Sequence, residues 1–391
     1  MSDTALDATG SSPSFAPAAR SGAKVADKEH VIDAMRGFAA LLVAYFHCRQ
    51  VEWVGMQSFH QLAGKSFDLN TIVAYLTLPI AWGSAGVPIF FVISGYCIHR
   101  SAAQRLVANP AYRLNAANFW ARRFARIYPV LFAALVLTLA LDWTSLHFLP
   151  VNHKILDIGP KAFLVNLFSL QGVAGKTYGS NGALWTLSLE VQFYLVYPLL
   201  LALRRKFGMM PALGFVALVN IVSVFVFERH YLQFFTSFWF SWTLGAWIAE
   251  VQVRRGGASS PARDRSWLMY GAALVLSVLG CAAFHFGQYP AFQLWAIGFA
   301  CYLVEALKRP RQSDSPVARL FSWFGDFSFS LYSIHLPIFV LLSSLFYRSA
   351  LQVSILPGFG FMLVAVGVAW VFYRCVELPA MKWSARLKVR V

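Results

Sequence analysis

The sequence predicts an all-α fold: a polytopic membrane helix bundle of about ten transmembrane helices, with both termini cytoplasmic. Three observations carry this reading. Hydrophobic residues fill 58% of the 391 positions, charged residues only 13%, and Phe alone numbers 35. A soluble domain carries about 25% charged and 45–50% apolar residues. Apolar runs recur at the roughly 20-residue length that spans a bilayer. Finally, the cations alternate. Starting with the N-terminal tail, every second flank holds 24 Lys and Arg in all, and the remaining flanks hold 7. That bias is the positive-inside pattern. The net charge of +16 therefore sets orientation and does not point to nucleic acid.

Residues 1–30 are small and polar, without the apolar core or cleavage pattern of a signal peptide. They are expected to form a disordered cytoplasmic tail, followed by a transmembrane domain over 31–380 and a basic cytoplasmic tail over 381–391. The expected spans are 31–48, 70–99, 120–142, 184–203, 211–228, 231–249, 267–285, 290–307, 327–346 and 354–374. The second is too long for one straight helix and contains Pro79, Gly83, Gly86 and Pro88. It is expected in two pieces, the second over 86–98, because interrupted helices at membrane depth are tolerated where they line a cavity or are buried. The only long external connection, 143–183, leads into Trp185 and is either a cap over an outward-facing acceptor site or a plain surface loop. No internal repeat is visible. The five cysteines are scattered through apolar segments without metal-ligand spacing, so no metal is expected.

Four stretches place polar chemistry in these apolar surroundings. On the first span Arg36 and His47 lie eleven positions apart, close to three helical turns. They share a face and sit roughly 16 Å apart along the axis. Ionisable groups inside a membrane helix suggest a site; alternatively Arg36 snorkels to lipid phosphate, with Asp33 neutralising it, and His47 is an interhelical hydrogen-bonder. The third span opens on Arg122, Arg123 and Arg126. Arg123 and Arg126 share a helix face, and paired guanidinium forks suit phosphate oxygens; the alternative is ordinary topological anchoring. The fourth span carries Glu190, expected at a depth near that of His47, with Tyr194 one turn further in. A buried carboxylate needs a partner, and His47 is the expected one; a structural ion pair is the alternative. The ninth span brings His335 and Pro337 near mid-membrane, where His335 either lines a cavity or bonds carbonyls that Pro337 frees. Walker, dinucleotide, zinc-protease and Gly-x-Ser-x-Gly patterns are absent.

Together these segments resemble the acyltransferase-3 family of bacterial integral-membrane acyltransferases, over nearly all of residues 31–380. The carriers are Ile32-Asp33-x-x-Arg36-Gly37 with His47, the run from Gly86 to Tyr96, and Arg123-x-x-Arg126-Ile127-Tyr128-Pro129. They continue with Leu184-Trp185-Thr186-Leu187-Ser188-Leu189-Glu190 followed by Phe193-Tyr194, then Ser330-Leu331-Tyr332 with His335 and Pro337, then Arg374-x-x-Glu377-x-Pro379. One departure is Val191, where many members have a second glutamate. Another is the lack of the C-terminal hydrolase-like domain that some members carry. Any such extracytoplasmic partner is expected to be a separate protein.

The resemblance implies a multi-pass protein of the bacterial inner membrane. It implies transfer of an acyl group, expected to be acetyl, from cytoplasmic acyl-coenzyme A to a hydroxyl of an extracytoplasmic, lipid-linked glycan. His47, Glu190 and Arg36 are then the expected catalytic residues. Arg122, Arg123 and Arg126 would bind the donor, and Tyr194, Trp185 and His335 are the expected substrate-binding residues. The competing class is a glycolipid transporter or flippase, which ten spans with buried charges also fit. Basic sites confined to the cytoplasmic mouth suit a cytoplasmic donor better than alternating access.

Overall fold

The computed structural model describes residues 19–63, 67–227, 230, 232–255, 266–308 and 315–387, with side chains from residue 30 onward. Most of the expected N-terminal tail (1–18), the last residues (388–391) and the flanking cations Lys65, Arg229, Arg263, Arg265, Arg309 and Arg311 lie outside the described residues.

Helix α1 (Ala19–Glu52) starts upstream of the expected position and carries the first span. Two short helices follow at its His47 end, α2 (Met56–Leu62) and α3 (Leu69–Leu76). Asp68 caps α3 by accepting from the Thr71 N–H at 2.8 Å. The expected break then appears. A 3₁₀ stretch, Leu78–Ala85, opens on Pro79, and α4 (Gly86–Ala108) starts at the glycine. Gly83 and Gly86 let this irregular backbone lie directly on α1. A Cβ on Gly83 would come within 2.8 Å of the Leu42 carbonyl oxygen, and one on Gly86 within 2.7 Å of that of Ala39.

Helix α5 (Ala116–Phe148) is longer than its expected span at both ends and tolerates Pro129. The long external connection is accordingly shorter and contains α6 (Pro160–Leu167). Helix α7 (Trp185–Phe207) ends at Gly208, whose φ of 89° is a positive value that glycine adopts without strain. Then come α8 (Met209–Phe227), α9 (Trp239–Arg254), α10 (Ser266–Ala283) and α11 (Gln288–Ala306). Helix α9 is mostly buried and crosses α4 with backbones touching. A Cβ on Gly95 would sit 1.9 Å from the Trp242 carbonyl oxygen, and one on Gly245 1.9 Å from that of Val92. Small residues at such crossings allow close packing where water supplies no hydrophobic drive between helices.

The flank expected as a loop over 307–324 contains a further helix, α12 (Pro316–Asp326). It packs on the Arg36 end of α1 through the same device. A Cβ on Gly37 would lie 2.0 Å from the Phe321 carbonyl oxygen, and one on Gly325 2.0 Å from that of Asp33. Helix α13 (Ser328–Tyr347) crosses the core beside α1. Helix α14 (Pro357–Phe372) runs through a π turn, Tyr373–Glu377, into α15 (Leu378–Arg386). Each expected span holds a helix among the described residues, but the one expected over 231–249 starts its α-helix only at Trp239, after a short 3₁₀ turn over Phe235–Ser237. Among the described residues, eight segments are long and apolar enough to cross a membrane. The architecture is an all-α membrane bundle.

Candidate active site

A cavity of about 540 Å³ runs between α1, α4, α5, α7 and α13. Its wall reaches from Arg100 and Met381 at one end to Val87, Phe90, Thr186 and Tyr332 at the other. Five of the expected site residues line it: Arg36, Arg123, Arg126, Glu190 and Tyr194.

The polar groups divide in an unusual way. Arg36 donates to Asp33 at 2.9 Å and to the Cys97 sulfur at 3.1 Å. Glu190 does not pair with an arginine. Its Oε1 accepts from the Ser94 hydroxyl at 2.8 Å and from the Tyr194 hydroxyl at 2.5 Å. Ser94 is in turn held by the Trp242 indole N–H at 3.1 Å. Glu377, from the π turn, accepts from the Ser330 hydroxyl at 2.5 Å and its backbone N–H at 3.1 Å. Hydroxyls, not guanidiniums, therefore satisfy these two carboxylates. Arg123 lies over the rings of Tyr194 and Phe119, 5.7 and 5.8 Å from their centroids. Arg126 makes no hydrogen bond or ion pair among the described residues, and its electrostatic neighbours include Arg36 and Arg123 as well as Glu377. Guanidinium donors facing one another across a cavity suit a multiply charged anion.

His47 and His335 lie outside this lining, beyond the Tyr332 end. Thr186 and Tyr332 are joined at that end by a 2.7 Å hydroxyl–hydroxyl bond, and Phe90 packs edge-on against Tyr332. The Tyr332 ring touches that of His335, with centroids 5.9 Å apart. His335 Nε2 is 2.8 Å from His47 Nδ1, and the two rings lie within 9° of parallel. His335 is fully buried, His47 only partly. The expected contact between Glu190 and His47 is thus corrected: the imidazole partner of His47 is His335, and Glu190 serves the arginine-lined cavity. Pro337 does free a carbonyl, that of Ser333. Asn181 takes it, its side-chain N–H donating at 2.9 Å, while His335 bonds the carbonyl of Leu331 at 2.9 Å.

Two further expected site residues fall elsewhere. Arg122 is exposed and donates to the carbonyls of Ala385 and Leu387 at 2.9 and 3.1 Å, fastening the end of α15. Trp185 packs between Phe238 and Phe292, in an aromatic cluster outside the cavity lining. Ser94, Thr186, Tyr332 and Glu377 escaped the reading of the sequence as site residues, although each lies inside a motif quoted from it.

The family described as "Acyltransferase domain" matches residues 29–374. The chain is similar to Nodulation protein 10 of Rhizobium leguminosarum bv. viciae, 28% identical over 51% of each chain. It is similar to the acyltransferase MdmB of Streptomyces mycarofaciens, 29% identical over 44% of this chain and 39% of that one. It is also similar to the peptidoglycan O-acetyltransferase OatA of Listeria monocytogenes, 31% identical over 38% of this chain and 25% of that one. The chain thus spans about half the length of the first relative and less of the others. No solved structure matches. With the match running from within α1 to the π turn after α14, the chain belongs to the acyltransferase-3 family of membrane acyltransferases.

Proposed function

We propose that this protein moves an acetyl group from cytoplasmic acetyl-coenzyme A to a hydroxyl of an extracytoplasmic, lipid-linked glycan, in a bacterial inner membrane. The observation that carries this reading is the division of partners in the cavity. The carboxylates Glu190 and Glu377 are served by hydroxyls, which leaves Arg126 and the ring-stacked Arg123 to meet an anion. The positive-inside bias supports an orientation with the Arg36 end of the bundle toward the cytoplasm, where coenzyme A is available. Its phosphates would sit against Arg36, Arg123 and Arg126, and its pantetheine arm would run along α1 toward His47. The similarity to a peptidoglycan O-acetyltransferase supports a glycan acceptor and acetyl as the group moved.

In this scheme His47 acts as general base. Its free ring nitrogen takes the proton of the acceptor hydroxyl as that oxygen bonds to the thioester carbonyl carbon. The tetrahedral intermediate collapses, the carbon–sulfur bond breaks, and the proton passes from His47 to the departing sulfur. The products are the glycan ester and the free thiol. General acid–base groups contribute roughly 10²–10⁴ in rate.

The test is to delete the gene and compare glycan esters by mass spectrometry. Deletion is expected to remove one class of alkali-labile ester. The parent gene restores it, and His47→Ala, present in the membrane at parent level, does not. An unchanged ester profile on deletion would sink the reading.

A further inference from the structure

His335 was expected to touch substrate, yet it is fully buried and both of its ring nitrogens are already engaged. Its Nδ1 meets the Leu331 carbonyl oxygen at 2.9 Å. A carbonyl only accepts, so that nitrogen carries a proton. A neutral imidazole has one ring N–H, which leaves His335 Nε2 as a bare lone pair. That lone pair faces His47 Nδ1 at 2.8 Å. A contact this short between two bare nitrogens would be repulsive, so the proton of neutral His47 lies on Nδ1. The lone pair of His47 is then on Nε2, which makes no hydrogen bond among the described residues.

We infer that His335 is a positioning residue that fixes the tautomer and ring plane of His47 through a relay anchored on the Leu331 carbonyl. The inference rests on the proposed role of His47 as base. It assigns the work usually given to a carboxylate to a neutral second imidazole. A carboxylate–histidine pair buries a negative charge, which is costly in a membrane interior. A neutral acceptor orients the ring without that charge. When His47 takes the hydroxyl proton on Nε2, its Nδ1–H stays bonded to His335 Nε2, and the positive charge is stabilised by that acceptor. No group of the protein gains or loses a proton overall, because the hydroxyl proton leaves with the sulfur. The near-parallel rings, 9° apart, have the geometry of an in-plane N–H···N bond.

Two substitutions and one spectrum test this. His335→Leu removes the acceptor and is expected to lower ester formation about 10²-fold. Its affinity for acetyl-coenzyme A, measured on purified protein, stays within about twofold, because the arginine-lined cavity is untouched. His335→Gln offers an amide oxygen to the same N–H and is expected to restore transfer to within about tenfold. In parent protein carrying ¹⁵N-histidine, the His47 resonances, identified by their loss in His47→Ala, are expected to show a protonated Nδ1 and a bare Nε2. The proposal is overturned if His335→Leu transfers at the parent rate, or if His335→Gln is as impaired as His335→Leu. It is equally overturned if His47 proves to be the Nε2–H tautomer, a result that needs no variant of His335 to fold. A His47→Ala protein that still transfers would overturn the general-base reading instead, independently of the tautomer.

Discussion

Two clusters of charge lie beside α4, and they handle the same residue types in opposite ways. Around Glu250 of α9 every charged side chain has a bonded partner. Its carboxylate meets His99 at 3.1 Å, Arg204 at 2.5 and 2.8 Å, and Arg254 at 3.1 Å. The other nitrogen of His99 is bonded to the Tyr197 hydroxyl at 3.2 Å. In the cavity, Glu190 and Glu377 are bonded by hydroxyls, and Arg126 has no bonded partner among the described residues. Burial alone does not separate a structural ion network from a binding site. What separates them is whether the cations still have donors to offer.

Arg204→Ala tests the matched side. Removing one member of a partly buried network leaves a carboxylate short of donors, at a cost of about 3 kcal/mol. Thermal unfolding of purified protein is expected to show this loss with acetyl-coenzyme A affinity intact. Weakened donor binding at unchanged stability would merge the two clusters into one site. Arg126→Ala tests the unmatched side and should do the reverse. Affinity for acetyl-coenzyme A is expected to fall about tenfold, or 1.4 kcal/mol, less so at high salt. Stability stays level because no bond is lost. Equal binding by parent and variant would reduce Arg126 to an anchor of topology. Glu190→Gln sharpens the contrast and has the smallest expected effect. The amide oxygen can still accept from Tyr194, so transfer should fall by about 1 kcal/mol, well short of the loss from His47→Ala. An inactive Glu190→Gln variant with normal donor binding would return the carboxylate to the reacting atoms.

Much of the helical framework was legible because each span is an apolar run of membrane length, and the break before Gly86 was legible from Pro79, Gly83 and Gly86. Helix α12 was not. It has 11 residues in a flank whose cations read as a loop. For the site, sequence depth placed Arg36, Arg123 and Arg126 together, since they lie near the same end of their expected spans. The same reasoning assigned Glu190 to His47 and was wrong. Position along a span fixes height to about a turn, but it does not say which neighbour the side chain faces. Only the packing of α4 between α1 and α7 shows that Ser94 meets Glu190. His335 was found, but its partner was not, because the contact joins residues 288 positions apart. Arg122 shows the converse limit: three arginines in one stretch looked alike, and one of them is occupied by the carbonyls at the end of α15.

The unbroken course of α1 from Arg36 to His47 makes the helix a length gauge. On the proposed reading, a donor held by its phosphates at one end would present its thioester at the other only if the arm between them had the right reach. A short synthetic thioester would arrive at His47 without touching an arginine, and so would bind poorly however reactive it was. The gauge also has a phase. Inserting one residue between positions 36 and 47 would lengthen α1 by about 1.5 Å and turn His47 by about 100°, away from His335. The Arg36 end is clamped by the Gly37–Gly325 crossing, where not even a methyl group fits, so α1 could not roll to compensate. Such an insertion would keep every side chain discussed above and still separate the anion site from the base.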